Sequence, residues 1–189
     1  AGISVGEDGA THQCCEDIAL MRTIPGMVVL NPADHYEMRA AVKAAIEYNG
    51  PGYLRLGRLA VESVNNNADY TFEIGKSITL REGSDITVIA TGLLVGEAVK
   101  AADALKDQGI SVRVIDMHTI KPLDEEAVLK AAKETGKIIT AEEHNVIGGL
   151  GDAVAGVLSQ KLPTPLVKIG VNDEFGYSGP GGELLKEFG

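Results

Sequence analysis

The 189 residues carry 17 Lys and Arg against 27 Asp and Glu, a formal charge of −10, with 44% hydrophobic and 23% charged residues. A chain of this length and apolar content buries a substantial core in one or two domains, which excludes a stapled miniprotein and a disordered segment. The acidic excess repels polyphosphate backbones and no basic stripe offsets it, so nucleic acid is set aside as a partner.

In chain order, Gly6 to Gln13 reads as a loop between a short strand and a helix. Cys15 to Thr23 predicts a helix with Ile18, Leu20 and Met21 toward the core, closed by Pro25-Gly26. Met27 to Asn31 is a short apolar run ended by Pro32, a buried strand. Asp34 with Glu37 three positions on forms a capping box, after which Met38, Val42, Ala45 and Ile46 recur at helical spacing. Gly50-Pro51-Gly52 ends that helix. Tyr53 to Leu56 predicts the next strand, with a turn at Gly57 and Arg58 just beyond.

Residues 59–84 change character, with Asn65-Asn66-Asn67 and Gly83-Ser84 around two short apolar stretches, and predict a linker followed by a hairpin or edge strand. From Asp85 the pattern restarts with a strand at Ile86–Ala90. A helix from Val95 to Gln108 follows, with Ala98, Val99, Ala102 and Leu105 inward and Gly109 as its stop. Val112–Ile115 is a strand, and Leu123 and Val128 staple a helix capped by Asp124 that runs to Thr135, with Gly136 beyond. Lys137–Ala141, Leu150–Leu162 and Leu166–Ile169 predict strand, helix, strand. Alternation at this spacing gives parallel pairing, right-handed crossovers and an α/β sheet covered on both faces.

The divisions expected are residues 1–60, a linker with edge strand at 61–84, and a second domain at 85–189. The first segment offers two or three strands where the average sheet has about five to six, so it reads as the back half of a domain. Glu183 to Gly189 is a helix of barely two turns, so both ends look cut. The charge is uneven: residues 1–60 hold 5 basic and 7 acidic side chains, and residues 61–189 hold 12 and 20. The first segment is nearly neutral.

No run of about 18 apolar residues signals a membrane span, and residues 1–8 lack the basic and apolar regions of a secretory leader. Cys14 and Cys15 are adjacent, too close for an ordinary disulfide and without metal-ligand spacing, which favours a reducing, cytoplasmic setting and small structural thiols.

Gly6-Glu7-Asp8-Gly9-Ala10-Thr11-His12-Gln13 concentrates two carboxylates, a hydroxyl, an imidazole and an amide in one loop. Loops at the carboxyl ends of parallel strands line the crevice where α/β proteins bind ligands. Asp8 suits substrate hydroxyls, and His12 suits an oxyanion or a proton exchange. The alternative is a turn closed by Asp8 and Gly9, with Thr11 or His12 capping the helix. Arg58 is a candidate phosphate grip, since a guanidinium holds a phosphate through two parallel charge-assisted bonds; the alternative is a surface ion pair.

Glu142-Glu143-His144 suggests a metal site, but neighbours on a strand point to opposite faces and no fourth ligand recurs at useful spacing. Gly149-x-Gly151 before a helix lacks the third glycine of a dinucleotide fingerprint. A structural turn is expected there. His35 and His118 have no sequence partners and read as ordinary surface or helix-start histidines.

The whole string Gly6-Glu7-Asp8-Gly9-x-Thr11-His12-Gln13, followed by Glu16-Asp17, Arg22-x-Ile24-Pro25-x-Met27, Pro32-Ala33-Asp34 and Arg58, closely resembles transketolase, from residue 2 to about residue 188. The resemblance implies a partial pyrimidine-binding α/β domain followed by the C-terminal α/β domain with its mostly parallel sheet. It implies that Asp8 contacts the donor sugar's C2 hydroxyl, that His12 acts as a catalytic and substrate-binding group at oxygen near the reacting carbon, and that Arg58 grips the sugar phosphate. Arg55 matches no such role and is taken as structural. The Glu142–Gly151 segment lies near the subunit interface in that family.

The implied reaction is two-carbon ketol transfer between ketose and aldose phosphates in the pentose phosphate pathway, with thiamine diphosphate and magnesium in the assembled enzyme. Neither is expected to bind this chain alone: the cofactor's immediate ligands would lie upstream, in a missing N-terminal portion or subunit, and the chain alone is expected to be inactive. A homo-oligomer, a dimer, is implied, with sugar phosphates as ligands. Deoxyxylulose-phosphate synthase and the pyruvate dehydrogenase β subunit share the architecture but usually depart at Thr-His-Gln. A non-catalytic oligomerisation or regulatory module is the alternative from another class.

Overall fold

In the computed structural model, residues 1–65 and 70–188 are described; Asn66 and Asn67 of the expected linker, and Gly189, lie outside them. A 3₁₀ segment, Ile3–Asp8, stands where the sequence predicts a short strand. The positive φ of Gly2 and Gly6 breaks the extended run before it can pair. Two helices follow, α1 (Ala10–Gln13) and α2 (Asp17–Thr23), the second beginning later than expected. Ile18 is fully buried as predicted, but Leu20 is 57% exposed and does not face the core.

Strand β1 (Val28–Leu30), helix α3 (His35–Glu47) and strand β2 (Gly52–Leu54) form the β-α-β unit read from the sequence, with β1 and β2 parallel. The Asp34 carboxylate accepts from the Glu37 amide at 3.0 Å and Glu37 reaches back to the Ala33 amide at 2.6 Å, one residue earlier than a standard capping box. The buried face of α3 runs through Glu37 and Ala41, leaving Ile46 79% exposed despite its helical spacing.

The rest of the chain builds a five-stranded sheet. This part of the chain runs through β3 (Ile78–Arg81), β4 (Ile86–Ala90), α4 (Leu94–Lys106), β5 (Val112–Asp116), β6 (Thr119–Lys121), α5 (Glu125–Thr135), β7 (Ile138–Asn145), α6 (Leu150–Lys161), β8 (Leu166–Val171) and α7 (Gly181–Glu187), with β6 outside the five-stranded sheet. The strand order is β3-β5-β4-β7-β8, parallel throughout except for the antiparallel edge strand β3. Helices cover both faces. Ile89, Ile115, Val128, Leu150 and Val154 fill one side under α5 and α6, and Val95, Ala98, Ala102 and Val114 fill the other under α4. Asp124 caps α5 by accepting from the Ala127 amide at 3.1 Å, and Val128 is wholly buried as the staple requires.

The three-residue strand β6 was not predicted. It pairs antiparallel with β1, so a second sheet, β2-β1-β6, is assembled from both parts of the chain. Ile18, Val29, Ile120 and Ala153 pack together at this junction. His118, expected at the surface, is buried beside β6, and burial pushes its imidazole down to about 4 against the pull of Asp124. His35 is the exposed first residue of α3, as expected.

Candidate functional site

Asp8 ends the 3₁₀ segment, His12 sits on α1, and Arg58 follows β2 by four residues. Local sequence explains the first two placements. Gly6 and Gly9 hold φ of +80° and +74°, and a Cβ would meet the Gly179 carbonyl oxygen at 3.1 Å from Gly6 and Ser178 Oγ at 2.7 Å from Gly9. The Gly-Glu-Asp-Gly frame therefore lies directly against residues 178–181 with Asp8 turned outward. Gln13 fastens the other end, its side-chain amide donating to the Tyr177 carbonyl at 3.0 Å.

Asp8 and Arg58 come together. The Arg58 Nη1 donates to Asp8 Oδ2, joining side chains fifty residues apart in sequence, and Arg58 is 57% and Asp8 40% exposed. His12 is exposed on α1, beyond the non-helical Gly9, with Nδ1 2.9 Å from the Thr11 hydroxyl. The structure thus joins the carboxylate of Asp8 to the guanidinium of Arg58 and places the imidazole of His12 in an exposed position four residues after Asp8 in the chain.

Beneath it lies a charge network that sequence reasoning did not assign to the site. Arg55 is 1% exposed and its Nε donates to Asp17 Oδ2 at 2.8 Å, while Tyr53 donates to the same oxygen at 2.8 Å. Burial acts to discharge Arg55, but Asp17 and Glu143 outweigh it and hold the guanidinium above its usual pKa. A cation inside the apolar run Tyr53-Leu54-Arg55-Leu56 was the one available signal.

Glu142 and Glu143 point to opposite faces of β7, as strand geometry requires. Glu142 turns to α6, accepting from the Leu150 and Gly151 amides at 2.7 and 2.8 Å. It occupies the helix N-terminus where a phosphate would otherwise be held. Burial pushes its carboxyl up to about 7 against the pull of those two amides. His144 accepts from the Ala19 amide at 3.3 Å. The cysteines are unpaired and line a cavity of about 340 Å³ with Asn145 and Phe175. Burial, ahead of other causes, raises both thiols, Cys15 to about 11. No helix among the described residues is long and apolar enough to cross a membrane.

A family model of the transketolase C-terminal domain matches residues 75–189, and one of the transketolase pyrimidine-binding domain matches residues 1–63. The chain belongs to the transketolase family. It is 50% identical to a Methanocaldococcus jannaschii protein bearing the provisional name of transketolase C-terminal section, over all of this chain and 60% of that protein. It is 45% identical to the 6-deoxy-6-sulfo-D-fructose transketolase subunit of Clostridium sp. (strain MSTE9), covering 58% of it, and 38% identical to a 1-deoxy-D-xylulose-5-phosphate synthase of Heliobacterium modesticaldum, covering 29%. A solved structure titled as a split gene transketolase, inactive beta4 tetramer, superposes with a TM-score of 0.92 at 50% identity, over 96% of this chain and 59% of that one. This transketolase-family chain therefore spans about 60% of the length of the first two of these relatives.

Proposed function

We propose that the chain is the C-terminal section of a transketolase, contributing sugar-phosphate contacts to two-carbon ketol transfer between ketose and aldose phosphates in the cytoplasm. The pairing of Asp8 with Arg58 on an exposed edge carries this reading. An exposed pair of this kind is worth about 1 kcal/mol or less. A phosphate dianion that takes the guanidinium through two parallel charge-assisted bonds therefore displaces Asp8 at small cost. The released carboxylate is an acceptor for sugar hydroxyls, and the exposed His12 holds or passes a proton at substrate oxygen.

Thiamine diphosphate, carried with magnesium, supplies the nucleophile and the electron sink of the reaction when bound. Among the described residues no group of three His, Cys, Asp or Glu side chains is placed to hold a metal ion. The reading assigns the magnesium diphosphate seat to the remaining portion of the enzyme, a partner subunit or segment. Self-association of the section, as a dimer in the assembled enzyme, belongs to the same proposal; the beta4 tetramer of the similar solved protein supports association of such sections.

The test is to combine the chain with the remaining portion of its enzyme, thiamine diphosphate and magnesium, and to follow transfer from xylulose 5-phosphate to ribose 5-phosphate. Turnover by the complex and none by the chain alone is expected. Condensation of pyruvate with glyceraldehyde 3-phosphate would instead assign a deoxyxylulose-phosphate synthase activity. A verified complex without transfer, whose behaviour is unchanged by Asp8→Ala and Arg58→Ala, would assign an assembly module.

A further inference from the structure

All three exposed candidates are rooted in one buried guanidinium. Arg55 lies three residues before Arg58 on the same stretch, and its amide is fixed to the Leu30 carbonyl of β1 at 2.8 Å. Its Nη2 donates to the Cys14 carbonyl at 3.5 Å, at the residue that ends the helix carrying His12. The same nitrogen donates to the Glu143 carbonyl at 3.1 Å, and Nη1 lies 4.0 Å from the Glu143 carboxylate. Glu143 in turn accepts from the Ser4 amide at 3.1 Å, inside the 3₁₀ segment that ends at Asp8. That approach is close: a Cβ at Gly2 would fall 2.2 Å from the Glu143 carboxyl carbon.

Resting on the transketolase reading above, we propose that Arg55, with Asp17 and Glu143, is a positioning residue that sets the spacing of Asp8, His12 and Arg58 for a sugar-phosphate substrate. A planar fork fixes several acceptor directions at once, which the point charge of a lysine does not. The charges are buried, so none of the acceptors drifts without leaving another unpaired. Misplacement of a binding group by about 1 Å costs on the order of 100-fold in rate, so loosening this root is felt at the exposed edge although Arg55 touches no substrate.

The decisive experiment uses Arg55→Lys and, should that variant fold poorly, Glu143→Gln. In the assembled enzyme, either change is expected to raise KM for the ketose phosphate at least tenfold, with a smaller effect on an unphosphorylated ketose. Arg58→Ala is expected to cost less in the Arg55→Lys background than in the wild type. A mere structural brace lowers kcat by one factor for every substrate, leaves KM unchanged and adds independently to Arg58→Ala, and that result would overturn the proposal. Amide hydrogen exchange on the chain itself separates this from the functional reading. At least tenfold faster exchange confined to residues 3–13 and 56–58 supports Arg55 as their organiser even if the wild-type complex transfers no ketol unit; uniform or absent change contradicts it.

Discussion

Two arginines three residues apart do opposite things because their surroundings differ. Arg58 is more than half exposed and its partner Asp8 nearly as open, so solvent screens the pair and leaves it exchangeable. Arg55 is sealed between Asp17 and Glu143, where removing one partner strands a buried charge. Arg55→Met should therefore lower the unfolding free energy by about 3–5 kcal/mol, whereas Asp8→Ala should change it by about 1 kcal/mol or less. Urea denaturation of both variants checks this, and equal losses would contradict the distinction. The motif around Asp8 was legible in the sequence because its glycines answer to local backbone needs. The network below it was not, since Asp17, Arg55 and Glu143 are far apart in the chain and only the tertiary fold shows that they are buried together.

The elements whose ends are written locally came out close to expectation. The cap at Asp124, the staple of Leu123 and Val128, and the run Ile86–Ala90 each depend on residues within a few positions. Strand β6 has three residues and a partner some ninety positions away, so no periodic signal marks it. The exposure of Leu20 and Ile46 has the same origin: spacing defines a helical stripe, but the neighbouring elements decide which stripe is covered. Helix α3 buries a carboxylate instead. Burial pushes Glu37 up to about 7, against the pull of Tyr70 and the Ala33 amide, with Asp34 raising it further. A folded value above the ordinary 4.5 means that the stability contributed is complete below about 4.5 and is lost as pH rises through about 7. Buried Asp116 is raised for the same first reason and acts in the same direction. The melting temperature of the wild type should fall relative to that of Glu37→Gln between pH 5 and pH 8; parallel curves across that window would contradict the assignment.

At the scale of the whole molecule, the two parts of the chain are joined through shared construction. Strand β6 completes the sheet of the first part, Ile18 and Val29 pack against Ile120 and Ala153, and Arg55 reaches across to Glu143. The candidate edge is thereby carried by a first segment that the second domain holds in shape. On the proposed reading, the second part of the chain supports the candidate site although none of the three exposed candidates belongs to it. The acidic excess has a counterpart here: most of it lies after residue 60, leaving a nearly neutral first segment in which, on the proposed reading, Arg58 takes the phosphate once Asp8 is displaced. The most direct measurement is the specificity of the assembled enzyme carrying Arg58→Ala. The account predicts that kcat/KM for xylulose 5-phosphate falls on the order of 100-fold, as expected for loss of a charge-assisted phosphate contact, while transfer from an unphosphorylated ketose changes little. An equal loss for both substrates, or none for either, would contradict it.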